Sequence, residues 1–297
     1  MKRIKFIVNP SAGTQMHGEI IDEICKRLLD HGHILQKFNT RKQFDALQEA
    51  KNTRRKDWDM ILCSGGDGTV NEVVTGIVQG GEGIPLGIYS AGTVNDFANF
   101  MNLPKTAKDF VAMVEDFHQR KIDIGYCKDR CFANVLAIGN IANVGHETDK
   151  NAKAIFGRLA YLFEGFKEVP NTLQNPFRLR FRTGNKDYSE RVVLATLSNS
   201  SSIGGFQKFS PDAKIDDGLL DLVLIKAAPI TDLVGVFLKI LQGEHVKDPG
   251  VIYRQVDEIE ILGRKKLPVD LDGEFAGYLP LNVKVLKQKV NLIVVKE

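Results

Sequence analysis

The 297-residue chain contains only four cysteines and one tryptophan, and it has no long apolar run. Because a membrane-spanning helix needs about 20 consecutive apolar residues, no such helix is predicted. The apolar part of the N-terminus is too short for a signal peptide and continues directly into Asn9 and Pro10, so we expect a cytoplasmic protein. The 40 basic and 37 acidic residues give a net charge of +3, which neither demands nor excludes an anionic partner. We expect no nucleic-acid partner.

The few cysteines favour free thiols. Cys25 and Cys63 fall on apolar faces, where a buried thiol is expected. Cys127 and Cys131 flank a predicted hairpin turn and could form a metal or redox pair. No second Cys/His pair lies at zinc spacing, which argues against a zinc site.

The usual nucleotide-binding signatures are also missing: there is no GxxxxGK[ST], no complete GxGxxG and no HRD or DFG set. The chain has instead a glycine-rich turn at residues 64–69, between a buried strand that ends at Cys63 and a helix with apolar residues at helical period. Glycines let the backbone approach a ligand closely, and a helix N-terminus attracts anions. This turn therefore predicts a phosphate site, and Asp67 places a carboxylate in it where Mg²⁺ could bind. Asn71 could orient a nucleotide, whereas Glu72 could simply favour the helix dipole.

The first half of the chain alternates strand and helix patterns. Strands are predicted at residues 2–8, 33–39, 59–63 and 84–89, and helices at 20–29, 42–52, after Gly68, at 94–100 and at 105–117. This alternation favours a parallel sheet with right-handed crossovers. Ligands of such sheets bind beyond the carboxyl ends of the strands. The loops expected there are residues 9–13, 64–69 and 90–96.

The first and third of these loops could also contact phosphate. Backbone amides and Ser11 could do so in the first loop, although a plain turn is the alternative. In the third loop Gly92 and Thr93 could contact phosphate. Asn95 and Asp96 could contact a polar group or ion, although Asp96 could instead cap the helix that it precedes.

The second half reads mainly as strands. They are predicted at residues 121–126, 131–138, 177–182, 191–198, 219–225 and 255–262, with more up to 295, and helices are predicted near 152–168 and 230–241. Asp217, in the turn 216–218, could bind a hard cation or belong to a hairpin. The turn 272–274 could be structural or could carry a general base. Asp123 could belong to an acidic site or to a solvated strand face.

In this combination and order, the motifs resemble the diacylglycerol kinase catalytic family, which includes bacterial lipid kinases and the sphingosine and ceramide kinases. The segments that carry the resemblance are 9–13, 65–72, 92–98, 122–125, 216–220 and 272–274, spread over nearly the whole chain. The resemblance implies an α/β fold: a parallel-sheet nucleotide-binding domain, like that of NAD kinase and phosphofructokinase, and a C-terminal β-sandwich domain. The implied boundaries are 1–125, completed by a strand within 288–297, and 126–287 for the lipid-substrate domain.

The resemblance also implies residue roles, with ATP and Mg²⁺ as cofactors. Glu274 and Asp67 are the implied catalytic residues, Glu274 as general base, and Asp67 and Asp123 belong to a Mg²⁺–water network. Asp217 is implied to hold a further Mg²⁺ with the carbonyls of Lys214 and Leu219. The residues implied to contact the nucleotide are Asn9, Ser11, Ala12, Gly13, Thr40, Gly65, Gly66, Gly68, Thr69, Asn71, Glu72, Gly92 and Thr93.

The expected reaction is transfer of the γ-phosphate of ATP to a lipid hydroxyl, with diacylglycerol as the first choice of acceptor. Phosphatidylglycerol, a polyprenol, a sphingoid base and NAD are alternative acceptors, and a non-catalytic nucleotide-binding regulator is a further alternative. A lipid substrate requires peripheral association with a membrane. The basic clusters 54–56 and 264–266 could dock there or be solvated faces. An exposed edge strand could pair with a second copy to form a homodimer.

Overall fold

The structure, a computed structural model, describes residues 1–13, 16–92, 95–139, 175–263 and 267–296. The chain divides into two compact units, Met1–Ile124 with Lys287–Glu297, and Gly125–Leu286. It leaves the first unit within the strand Gln119–Cys127 and returns within the strand Leu281–Ile293. The predicted helix at 152–168, the start of the helix at 94, Thr93 and the basic cluster 264–266 lie outside the described residues.

The first unit alternates strands and helices as predicted. Its elements are β1 (Arg3–Val8), α1 (Met16–Asp30), β2 (Ile34–Asn39), α2 (Asp45–Asn52), β3 (Met60–Gly65), α3 (Asp67–Gly80), β4 (Leu86–Ser90), α4 (Asp96–Phe100), α5 (Ala107–Asp116) and the first part of β5 (Gln119–Cys127). The strands β2, β1, β3 and β4 pair in this order, all parallel. The strand Leu281–Ile293 adds to β4 in parallel through Leu292 and Leu86. The predicted parallel sheet is confirmed.

Burial explains these elements. Strands β3 and β4 are buried along almost their whole length, which is typical of strands with helices on both faces. Helix α1 buries Ile21, Ile24 and Leu28, whereas Leu29 is 54% exposed, because a step of one residue turns the side chain about 100° around the helix. Leu29 therefore lies off the buried face of α1.

The second unit is built mainly from antiparallel strands. They are β6 (Arg130–Phe132), β7 (Val135–Ile138), β8 (Phe177–Thr183), β9 (Lys186–Ser198), β10 (Leu220–Lys226), β11 (Val251–Val256), β12 (Glu258–Leu262), β13 (Pro268–Leu271), β14 (Glu274–Tyr278) and the first part of β15 (Leu281–Ile293). The helix α6 (Ile230–Gln242) lies between β10 and β11. Strand β9 pairs with β7, β8 and β10, and β13 pairs with β7 and β14.

Two apolar clusters hold the second unit together. One is formed by strand residues, with Phe132 and Phe181 among the largest side chains. The other packs the buried face of α6 against β9 and β10. The residues of that helix face are Leu233, Val236, Phe237 and Ile240. This region is β-sandwich-like, as predicted.

Two predicted strands are interrupted. The strand predicted at 131–138 divides into β6 and β7, because a carboxylate elsewhere in the chain binds the backbone amides between them. The strand predicted at 255–262 divides into β11 and β12 at Asp257. Among the described residues, no helix is both long and apolar enough to cross a membrane.

Candidate active site

Three loops of the first unit meet at the carboxyl ends of β1, β3 and β4. The backbone N–H of Asn9 donates to the carbonyl of Ser64 (2.8 Å), and that of Ala91 donates to the carbonyl of Gly65 (2.9 Å). Beside them, the N–H of Thr40 donates to the carbonyl at the end of β1 (2.9 Å). The structure therefore brings together the loops that the parallel topology predicts.

Glycine is required in these loops by the loops' own packing. A Cβ at Gly65 would lie 2.5 Å from Cβ and Oγ1 of Thr69. A Cβ at Gly13, whose φ is +80°, would lie 2.5 Å from the carbonyl oxygen of Ala91. Neither position tolerates a larger residue without movement of the backbone or of Thr69, whatever ligand binds beside it.

The N-terminus of α3 lies against the third loop. Asp67 is its first residue and Gly66 its N-cap, which offers no side chain to the first-turn amides. A Cβ at Gly92 would approach the Cα of Gly66 to 2.9 Å. Gly68 follows Asp67 in the first turn. Helix N-termini of this kind bind phosphate through backbone amides and the helix dipole, so this end of the unit can bind an anionic phosphate group.

Side chains connect the loops further. Asn9 donates through Nδ2 to Thr69 Oγ1 (3.0 Å) and accepts through Oδ1 from the backbone of Ser11 (3.0 Å). The N–H of Ala12 donates to the Asn9 carbonyl (3.2 Å). Asn71 is 1% exposed on α3. These contacts hold the first loop in a fixed conformation against α3.

His17 belongs to the same network, although the sequence did not single it out. Its Nε2 lies 2.9 Å from Oγ of the fully buried Ser64, and its ring also bonds to the backbone of Ala12. Burial lowers the pKa of the imidazole, so the ring is neutral near pH 7. The available signal was a histidine four residues after Gly13, in the first turn of α1.

Glu72 has a structural contact within the first unit. Its Oε1 accepts a hydrogen bond from the backbone N–H of Phe44 (2.9 Å), the residue before α2, which has φ +67°. This contact ties α2 to α3. A role for Glu72 in nucleotide binding stays a prediction.

Two further polar residues of the first unit, Asp123 and Asp96, are buried. Asp123 on β5 is fully buried, and its Oδ1 accepts from the backbone N–H of Gln288 on β15 (2.6 Å). The alternative of a solvated strand face is therefore wrong. Asn95 is the N-cap of α4, so Asp96 does not cap the helix that it begins. The Oδ1 of Asn95 is buried and has no hydrogen-bond partner within the described residues.

In the second unit, the hairpin of β13 and β14 carries three acids at alternate positions. Asp272 accepts from the backbone N–H groups of Ala133 (2.8 Å), Asn134 (3.0 Å) and Val135 (2.8 Å). These hydrogen bonds interrupt the strand between β6 and β7 and fix the hairpin turn. Glu274 begins β14 directly after this turn and is partly exposed.

The third acid, Asp270, is 8% exposed and accepts through Oδ1 from the N–H of Gly273 (2.7 Å). Burial raises the pKa of its carboxyl to about 7, with smaller contributions from Asp272 and Glu274. Arg130, which donates to the carbonyl of the residue after Glu274, opposes the rise. The hairpin therefore keeps one carboxyl buried and one partly exposed.

The turn that contains Asp217 ends a long connection between β9 and β10, so the hairpin alternative is wrong. Asp217 is exposed and accepts through Oδ1 from the N–H of Leu219 (3.0 Å), and Lys214 is exposed three residues before it. Nearby, burial raises the pKa of Asp221 to about 6, and the charge of Asp217 adds to the rise. The negative field around this turn suits a cation.

The part of the chain that the structure describes contains no group of three or more His, Cys, Asp or Glu side chains that could hold a metal ion. Metal binding through side chains alone therefore has no support there. The predicted ligand sets do not need such a group. Asp217 is expected to act with two carbonyls, and Asp67 and Asp123 through water. The buried acceptor Oδ1 of Asn95 adds an uncompensated oxygen in the loop that follows β4, which suits a hard cation or its bound water.

Comparisons with known proteins agree with this arrangement. Residues 3–127 match the family profile described as "Diacylglycerol kinase catalytic domain", and residues 134–294 match "YegS C-terminal NAD kinase beta sandwich-like domain". A protein of Staphylococcus haemolyticus (strain JCSC1435) named diacylglycerol kinase is 33% identical over 296 residues, which covers 100% of this chain and 89% of that protein. The protein of the same name from Staphylococcus carnosus (strain TM300) is 32% identical and covered to 96%.

A solved structure is also similar to this chain over nearly its whole length. It comes from Bacillus anthracis str. Sterne and is described as that of a candidate diacylglycerol kinase. Its TM-score against this chain is 0.83 at 25% identity, and the match covers 99% of this chain and 97% of the other.

Proposed function

Because this chain belongs to the diacylglycerol kinase family and is an ATP-dependent lipid kinase, we propose that it phosphorylates the free hydroxyl of diacylglycerol to give phosphatidic acid. The observation that carries the choice of acceptor is the 33% identity over the whole chain to a relative named for that activity. The catalytic profile and the C-terminal profile both match, so the likeness is not confined to the shared glycine motif.

We assign nucleotide binding to residues 1–125 with 288–297 and lipid binding to residues 126–287. The three interlocked loops of the first unit support the first assignment, since their backbone amides and the start of α3 can hold phosphate groups. The nucleotide contacts are assigned to residues Asn9, Ser11, Ala12, Gly13, Thr40, Gly65, Gly66, Gly68, Thr69, Asn71, Glu72, Gly92 and Thr93. Phosphoryl transfer needs mainly positioning and charge neutralisation, which preorganised amides supply.

We assign Mg²⁺ binding in the first unit to Asp67 and Asp123, and the support is the buried Oδ1 of Asn95, which has no hydrogen-bond partner within the described residues. A bound Mg²⁺ would neutralise charge on the phosphates. A second Mg²⁺ is assigned to Asp217 with the carbonyls of Lys214 and Leu219, and the support is that Asp217 is an exposed carboxylate in the same turn as both residues.

We assign the general base to Glu274. A base must be ionised and must reach the hydroxyl proton, and Glu274 is a partly exposed carboxyl on a turn fixed by the three hydrogen bonds of Asp272. It would accept the hydroxyl proton of the acceptor as the oxygen attacks the γ-phosphorus and ADP leaves. The raised pKa makes Asp270 a poorer candidate near neutral pH, because it is then partly protonated.

The test is transfer of label from γ-labelled ATP to a panel of acceptors in mixed micelles: diacylglycerol, phosphatidylglycerol, a polyprenol, a sphingoid base and, without detergent, NAD. We expect the highest kcat/KM with diacylglycerol and formation of labelled phosphatidic acid. A higher kcat/KM with another acceptor would replace the proposed substrate, and tight ATP binding with no transfer to any acceptor would favour the regulator. Omission of Mg²⁺ from the same assay tests the metal assignment.

A lipid acceptor makes peripheral association with a membrane in the cytoplasm the proposed location. The basic cluster 54–56 is poorly suited to membrane docking, because Arg54 forms an ion pair with Glu82 and Arg55 donates to the carbonyl of Gly83. Among the described strands, β11 pairs only with β10, and this edge strand is the proposed position of a homodimer contact.

A further inference from the structure

Three arginines lie side by side on one exposed face of the second unit. Arg178 pairs directly with Arg191 across β8 and β9, and Arg180 lies two residues further along β8 on the same face. Within the described residues none of the three forms an ion pair, whereas Arg182, the next in the row, is held by two carboxylates. Like charges directly opposite each other on a sheet are destabilising. Among the described residues no carboxylate neutralises this row, so its positive charge is complementary to an anionic partner.

Helix α6 carries a second, apolar feature on the same side of the sheet. Ile230, Leu238 and Leu241 are 42%, 46% and 51% exposed, and Val234 between them is partly exposed. Their spacing of four, four and three residues places them in one stripe along the helix. This stripe lies beside the helix face that packs on β9 and β10, so α6 is apolar on its solvent side as well as on its core side. A surface helix normally presents polar residues to water.

A cavity of about 420 Å³ connects the two features. Arg191 and Val193 of β9 line it together with Ile230 and Leu233 of α6 and with Pro176. Apart from Arg191, the side chains of the residues that line it are apolar, and backbone groups add polar surface. A cavity of this chemistry can accept part of an acyl chain whose anionic headgroup lies near the arginines.

We propose that this face binds the surface of a phospholipid membrane that contains anionic lipid. We call it the docking face: Arg178, Arg180, Arg191 and the stripe Ile230, Val234, Leu238 and Leu241. Interfacial helices combine an apolar stripe with neighbouring cations, which interact with acyl chains and anionic headgroups respectively. The occupant is chosen because the chain is a lipid kinase, but the proposal does not depend on which lipid accepts the phosphate.

The first experiment measures sedimentation of the full chain with vesicles, without ATP, so that binding is recorded independently of catalysis. Vesicles of phosphatidylcholine with about one-third phosphatidylglycerol are compared with vesicles of phosphatidylcholine alone. Because each basic residue near an anionic surface contributes about 1 kcal/mol, about fivefold in binding, Arg178→Gln with Arg191→Gln should weaken binding to the anionic vesicles roughly 25-fold. The same change in charge at two exposed lysines of the first unit, Lys26→Gln with Lys108→Gln, should leave binding within about twofold.

The second experiment removes the apolar stripe by Leu238→Gln with Leu241→Gln. Binding to both kinds of vesicle should fall at least about tenfold, while the thermal midpoint stays near that of the wild type because both side chains are exposed. Wild-type protein that does not bind anionic vesicles, or binding that neither double variant weakens, overturns the proposal. A shift in oligomeric state in the second variant would show instead that a second copy covers the face. A large loss of stability with unchanged vesicle binding would show that the chain's own residues cover it.

Discussion

Replacing Asp270 by asparagine should change how the free energy of unfolding depends on pH. The carboxyl is buried, and its pKa of about 7 lies far above the ordinary value of 3.8 that applies in the unfolded chain. The unfolded chain therefore loses this proton at a lower pH than the folded chain does. Stability from this group is fully present below pH 3.8, falls as pH rises, and is lost above about pH 7.

The size of this change in unfolding free energy follows from the pH range over which the folded and unfolded chains differ in protonation. Between about pH 5.5 and the folded pKa of about 7 lie about 1.5 pKa units, at about 1.4 kcal/mol each, so the wild type should lose about 2 kcal/mol through Asp270 over this range. Asparagine does not titrate, and its Oδ1 can still accept the hydrogen bond from Gly273. The free energy of unfolding of Asp270→Asn, taken relative to the wild type, should therefore rise by about 2 kcal/mol between about pH 5.5 and about pH 8.5. A constant effect of the substitution on stability does not alter this change.

Denaturant titrations of both proteins at several pH values in this window measure the difference directly. Asp187→Asn is a matched control: Arg182 holds the pKa of the Asp187 carboxyl below its usual range, so its contribution is lost only as pH falls below this window. Its difference from the wild type should stay constant. A constant difference for Asp270→Asn as well would mean that the carboxyl ionises freely in the folded chain, and the argument from burial would be refuted.

The remaining predictions concern the two candidate sites. Gly65→Ala should lower the free energy of unfolding by roughly 1–3 kcal/mol and weaken ATP binding in calorimetry, because the new methyl group overlaps Thr69. As a control, Gly32→Ala places a Cβ where it meets no other atom and should leave ATP binding unchanged. Asp272→Ala should cost roughly 3 kcal/mol in denaturant unfolding, since it leaves three shielded backbone amides without an acceptor, and a cost below about 1 kcal/mol would contradict this role. Glu274→Gln should reduce kcat at least about 100-fold with little change in ATP affinity, and near-normal turnover would exclude Glu274 as the base.

The parallel sheet and its loops could be predicted because their signals are local. Buried apolar runs such as β3 are bounded by glycine-rich turns within a few residues, and the rule that ligands bind at the carboxyl ends of parallel strands then places the loops. The glycine motif predicted both a strand end and a helix start, and α3 begins at Asp67 within that motif.

Features that depend on distant pairing could not be predicted in this way. The break between β6 and β7 is caused by Asp272, about 140 residues away in sequence, and no local sequence pattern at Ala133 predicts this break. The contact of His17 with Ser64 joins α1 to β3, and that of Glu72 with Phe44 joins α3 to the start of α2. In each case a polar side chain bonds to a group that only the folded chain brings near.

The three acids of the β13–β14 hairpin show why spacing alone does not assign roles. Asp270, Asp272 and Glu274 alternate along the chain, yet Asp272 is bonded to three amides, Asp270 is buried and Glu274 is partly exposed. Because Asp270 and Glu274 interact electrostatically, ionisation of Asp270 near pH 7 should alter the proton affinity of the proposed base. The pH profile of kcat should therefore contain an ionisation near pH 7 that Asp270→Asn removes. If the profiles of the two proteins coincide while their stability profiles differ, Asp270 titrates but does not influence catalysis.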